Sequence, residues 1–184
     1  MSKTTLYTKD ICTATGYREA TLDKIMTGAK QALRLTFRKG ALFTSPRLTA
    51  DYLIIRIATL PHEIFTLIYV DKRHRFIAAQ DLFRGTLDGA SVHPREVVID
   101  ALKHQAAVVI LVHNHPSGVA EPSQADEFVT RRLRDDLSLI NIRVLDHIIV
   151  ANNSTMSFAE RGILWPVSTP RCRARSFAPE FVRA

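Results

Sequence analysis

The residues from Val108 to Asp126, VVILVHNHPSGVAEPSQAD, bring together side chains that bind metals and move protons. An apolar run, Ala106 to Val112, has the length and β-branching of a buried strand. It leads into His113-Asn114-His115 and then Pro116-Ser117-Gly118, a turn signal that ends the strand. On an extended backbone, residues two apart point to the same side, so His113 and His115 can converge on one point. Ser123 and Asp126 follow a short loop, three apart at the predicted start of a helix, on neighbouring positions of its first turn. Two imidazoles and one carboxylate, with a fourth position left for water, form the ligand set of a catalytic zinc. Each piece also has a plainer reading. Paired histidines at a strand end are often a polar loop, and Ser123 with Asp126 is equally a helix capping box.

The joint pattern, H-N-H-P-S-G-x4-S-x2-D, is far more specific than its parts. It resembles the signature of the JAMM (MPN-type) metalloproteases, and in particular the bacterial RadC family. The likeness continues through Ser45-Pro46 to Leu53, His62-Glu63-Ile64-Phe65, Leu82-Phe83-Arg84-Gly85-Thr86, Pro94-Arg95-Glu96-Val97, Arg143-Val144-Leu145-Asp146-His147 and Ser157 to Gly162, covering about residues 45–164. The resemblance implies that His113, His115 and Asp126 bind one zinc per chain and that Ser123 lies beside the bound water, steadying an oxyanion. It also implies that Glu63 is the general base, since the family carries that base at the start of the strand after the first long helix. Without the resemblance, Glu63 reads as an exposed strand end. The implied reaction is zinc-dependent hydrolysis of an amide, peptide or isopeptide bond in a protein or peptide substrate.

The elements that position these residues read as one α/β domain. A helix opens at Pro46, capped by Ser45, and stops before Pro61. Glu63 to Val70 is a predicted strand, with a turn at Asp71–His74 and a hairpin partner at Arg75 to Ala79. Leu87-Asp88-Gly89-Ala90 makes another turn, and Pro94 opens a helix with Val97, Val98, Ala101 and Leu102 facing inward. The helix from Ser123 runs to about Leu139, with Phe128, Val129, Leu133 and Leu137 on its apolar side. Arg143 to Ala151 and Thr155 to Phe158 supply two more strands. The expected architecture is a mixed sheet flanked by helices, a JAMM/MPN-like domain in a three-layer arrangement similar to that of cytidine deaminases. Asp146 and His147 read as hydrogen-bonding groups in the core or behind the ligands, and His62, His74, His93 and His104 as ordinary histidines.

Flanking the domain at 45–164 are a basic extension over 1–44 and a basic tail over 165–184. Helical spacing of Leu22, Ile25, Met26, Ala29 and Leu33 predicts an amphipathic helix between about Tyr17 and Leu35. Full-length RadC proteins carry a helix-hairpin-helix module at the N-terminus. Its glycine-hairpin pattern is missing here, so the likeness is to a short form. The charge is +6 over residues 1–48, −2 over 49–164 and +3 over 165–184. Basic flanks of this kind could contact nucleic acid or an acidic partner. They support an alternative function, a non-enzymatic DNA-associated accessory protein, in keeping with the DNA-repair role traditionally attached to RadC. A ββα-metal nuclease is disfavoured because its histidines and asparagine are dispersed, not adjacent. A zinc deaminase is disfavoured because neither H-x-E nor P-C-x-x-C is present. Cys12 and Cys172 lack metal-ligand spacing, which fits reduced thiols. With no apolar run near 18 residues and no signal peptide, the expectation is a soluble, cytoplasmic protein.

Overall fold

The computed structural model describes residues 7–9, 17–42, 46–85 and 92–164. In chain order it contains a short antiparallel pair, β1 (Tyr7–Lys9) and β2 (Tyr17–Glu19), then α1 (Leu22–Thr36) and α2 (Pro46–Ile57). The hairpin β3 (Ile64–Val70) and β4 (Phe76–Arg84) follows, then α3 (Pro94–Lys103) and β5 (Val108–Asn114). Helix α4 (Gln124–Ser138) crosses to β6 (Arg143–Ala151), and β7 (Ser154–Ser157) closes the order. Strands β4-β3-β5-β6-β7 make one mixed sheet. Only β5 and β6 pair in parallel, and α4 supplies the crossover that joins these two neighbouring strands.

Strand β5 lies at the centre, and every one of its residues is buried. Its alternate side chains go to two cores. Val109 and Leu111 join Leu67, Val97, Ala101, Leu133 and Leu137 beneath α3 and α4. Val108, Ile110 and Val112 join Leu53, Ile57 and Ile68 beneath α2. Helices therefore cover both faces, giving the three expected layers, and each fully buried aliphatic contributes about 1.5–3 kcal/mol. Among the described residues, no helix is long and apolar enough to cross a membrane.

Several boundaries differ from those read in the sequence, each for a local reason. The central strand spans Val108–Asn114, not Ala106–Val112, because Ala106 still closes the end of α3 through a bond from its N–H to the Ala101 carbonyl. His113 and Asn114 are thus strand residues. Strand β4 extends to Arg84, past Ala79, because its pairing with β3 continues to Ile64, and Asp81 is accommodated by bonds from the Thr66 hydroxyl and Arg56. Strand β3 begins at Ile64, leaving Glu63 at its mouth, and β7 is Ser154–Ser157. Helix α1 begins at Leu22, capped by Thr21, because Tyr17–Glu19 pair with β1. Phe128 and Leu102 are exposed, where sequence placed them with the apolar faces of α4 and α3; buried Thr130 lies on the inner side of α4. Ser45, the turn at 87–90, both cysteines and the tail over 165–184 lie outside the described residues.

Candidate metal centre

The site forms where β5 ends and α4 begins. Because β5 continues in register with β6, the N–H of His115 donates to the Val150 carbonyl at 2.8 Å, one residue past the strand. This keeps His113 and His115 on one side, and their Nε2 atoms lie 2.8 Å apart. Asp126 reaches them from the first turn of α4, with Oδ1 3.2 Å from His113 Nε2 and Oδ2 3.6 Å from His115 Nε2. One ligand-type atom from each of the three residues lies within 4.8 Å of the others.

Asp126 is fixed by the cap of its own helix. Ser123 is the N-cap, and its Oγ accepts from the Asp126 N–H at 3.1 Å. The Ser123 N–H and O–H both donate to Asp126 Oδ2, each at 2.7 Å. The capping box read in the sequence and the candidate carboxylate ligand are therefore the same feature, and the helix N-terminus adds a favourable dipole. Burial works to raise the Asp126 carboxyl, but the imidazoles of His113 and His115 and the Ser123 hydroxyl hold it far below the usual carboxylate range. Asp126 in turn pushes His115 up, with the Glu63 charge adding to the effect.

The far nitrogen of each imidazole is also engaged. His115 Nδ1 lies 2.8 Å from the Val119 carbonyl, which can only accept, so Nδ1 carries the hydrogen and neutral His115 turns a bare Nε2 lone pair inward. His113 Nδ1 lies 2.8 Å from Nε2 of His147, a fully buried residue on β6. Phe65 stacks on His113, and Phe158 stacks on His147 with ring centroids 4.7 Å apart. Burial holds His147 far below the ordinary histidine value, so it is neutral. A bare imidazole nitrogen and a carboxylate pointing at one small volume could hold a cation between them. The N,N,O donor set suits zinc.

His147 owes its direction to a bulge. Val109 pairs with Val144 but Ile110 pairs with Asp146, which leaves Leu145 as an extra residue. A one-residue insertion inverts the side-chain alternation beyond it. Val144 lies in the core under α4, so unbroken alternation would turn His147, three residues on, towards α2. The bulge turns it back to His113.

Glu63 precedes β3 on the neighbouring strand, half-buried, its carbonyl accepting from the Gly85 N–H at 2.9 Å. The loop between His115 and Ser123 is tied down by an ion pair between Glu121 and Arg161, and by Gly118, whose φ is +83°. The structure thus gathers His113, His115, Asp126 and Ser123 at one point, with Glu63 close enough to act on His115 electrostatically. Thr130 and Asn114 were not singled out in the sequence as site residues. Thr130 could have been, since it stands four residues after Asp126 on the same helix face.

Residues 43–163 match the family model described as RadC-like JAB domain. A UPF0758 protein of Nitrosococcus oceani is 51% identical over 159 residues, covering 85% of this chain and 71% of its own length. Another, from Thioalkalivibrio sulfidiphilus, is 54% identical over 145 residues, 79% of this chain and 65% of its own. A third, from Aeromonas hydrophila, is 52% identical with the same coverage. The chain spans about two thirds of the length of these relatives.

Proposed function

Since the chain belongs to the RadC family of JAB-domain proteins, we propose that it is a zinc-dependent hydrolase of amide, peptide or isopeptide bonds. The observation that carries this reading is the convergence of His113, His115 and Asp126 within 4.8 Å, beside a glutamate at the mouth of the adjacent strand. His113 and His115 through Nε2 and Asp126 through its carboxylate would hold the ion. Zinc so bound supplies Lewis acidity, making water a better nucleophile near neutral pH and polarising a carbonyl.

The chain's own groups handle the protons. Glu63 takes a proton from the attacking water as its oxygen bonds to the carbonyl carbon. It returns that proton to the leaving nitrogen as the C–N bond breaks, yielding a carboxylic acid and an amine. Ser123 supplies an O–H for the developing oxyanion. Turning that hydroxyl away from Asp126 leaves Oδ2 its bond from the Ser123 N–H, so Asp126 stays in place.

Metal content of the purified protein tests this reading directly. One zinc per chain, lost in His113→Ala and Asp126→Ala, is the expected result. A wild-type protein that neither contains zinc nor takes it up would overturn it. The charge of the flanks favours a second reading, a DNA-associated accessory role. It requires DNA binding that weakens steeply with salt and disappears when residues 1–44 and 165–184 are removed.

A further inference from the structure

We propose that Thr130 and His147 are positioning residues that set the tautomer of His113, so that its Nε2 presents a lone pair to the site. The inference deepens the zinc reading and rests on it only for the use made of that lone pair.

The direction of every proton follows from one group that cannot donate. Thr130 Oγ1 lies 2.5 Å from the backbone carbonyl of Asp126, one helical turn back, and 2.5 Å from His147 Nδ1. A hydroxyl has one hydrogen, and a carbonyl can only accept. If Thr130 donated to His147, its lone pairs would face the carbonyl oxygen at 2.5 Å with nothing between them. The hydroxyl therefore donates to Asp126 and accepts from His147 Nδ1–H. Neutral His147 then has a bare Nε2, 2.8 Å from His113 Nδ1, so His113 must carry its hydrogen on Nδ1. Its Nε2 is left bare, facing His115 and Asp126.

Burial closes off other arrangements. His147 is fully buried and Thr130 and His113 nearly so, so bulk water offers these three groups no alternative partner. The chain of bonds starts from one candidate ligand and ends at another. Asp126 offers its carboxylate to the site and its carbonyl to Thr130, and His113 lies at the other end of both routes. The residue that contributes a ligand therefore also dictates which nitrogen of another ligand is free. The opposite tautomer of His147 would place an N–H against His113 Nδ1 and leave an N–H on Nε2, which cannot bind a metal.

Long-range proton–nitrogen NMR correlations of histidine rings in the metal-free protein, at mildly alkaline pH, read the tautomer of His147 without any need for activity. Wild type should show His147 with hydrogen on Nδ1. Thr130→Val keeps the shape of the side chain but removes the acceptor. It should shift His147 towards the Nε2–H form and weaken zinc binding by about 10–100-fold in a chelator competition. Thr130→Ser restores the hydroxyl and should recover both. Hydrogen on Nε2 of His147 in wild type would overturn the proposal, as would wild-type zinc affinity in a folded Thr130→Val. Should Thr130→Val not fold, the wild-type spectrum still decides. A wild type with the expected tautomer but no affinity for zinc would support the relay and defeat the hydrolase reading, so the two fail separately.

Discussion

The side-chain amide of Asn114 is bonded to the main chain on both sides of Glu63. Its Oδ1 accepts from the Ile64 N–H at 2.8 Å, and its Nδ2 donates to the His62 carbonyl at 3.1 Å. Phe65 pairs with His113 across β3 and β5, which brings Ile64 opposite Asn114. The residue between the two histidines thus ties the candidate base to the strand that bears the candidate ligands.

Asn114→Ala should therefore loosen Glu63 while leaving the donor set intact. The substitution strips two buried bonds and should cost about 1–3 kcal/mol of stability. Zinc content should remain near wild type, while the hydrolysis rate falls. Loss of zinc in parallel with loss of rate would mean that Asn114 supports the ligands and not Glu63. Denaturant titration and metal analysis on the same sample separate the two.

Glu63→Gln preserves shape and the backbone bonds around the residue but removes the proton acceptor. Zinc content should be unchanged, and hydrolysis of a peptide or isopeptide substrate should fall by about 10²–10⁴-fold. An unchanged rate would place the base elsewhere.

The parts of the site legible in the sequence are those with a short-range physical code. An apolar run ended by H-x-H, a capping serine and a carboxylate in the first helical turn specify strand, loop and helix within twenty residues. What was not legible depends on packing at long range. Nothing local marks Leu145 as a bulge, yet that one extra residue brings His147 to His113. Nothing local says that Asn114, a polar residue just before a turn signal, belongs to the buried end of the central strand; its partner is fifty residues away. Helical spacing identified an apolar side of α4 but not its centre, because a threonine bonded to the helix backbone can replace an aliphatic there.

The inner face of α4 can be measured by comparing two truncations. Leu133 is fully buried against β3, β5 and α3 residues, whereas Phe128 is 62% exposed. Leu133→Ala should lower stability by about 2–5 kcal/mol. Phe128→Ala should change it by no more than about 0.5 kcal/mol, despite removing the larger side chain. Equal losses in thermal or denaturant unfolding would mean that α4 is rotated from the orientation described, and Asp126 with it.

Gly118 links the metal-side loop to the turn after β6, and it is constrained twice. Its φ of +83° is one that side chains rarely adopt, and a Cβ there would come 2.4 Å from Nδ2 of Asn152. Gly118→Ala should therefore combine backbone strain with a clash, costing about 1–3 kcal/mol in all. The two parts can be separated, because Asn152→Ala removes the clash but not the strain. In the double variant, stability should recover only in part relative to Gly118→Ala alone. The Val119 carbonyl that orients His115 is the next residue along, so zinc affinity should follow the strain and stay below wild type even when the clash is gone. Full recovery of both quantities in the double variant would show that the loop tolerates a side chain at this angle and that steric contact alone demands glycine.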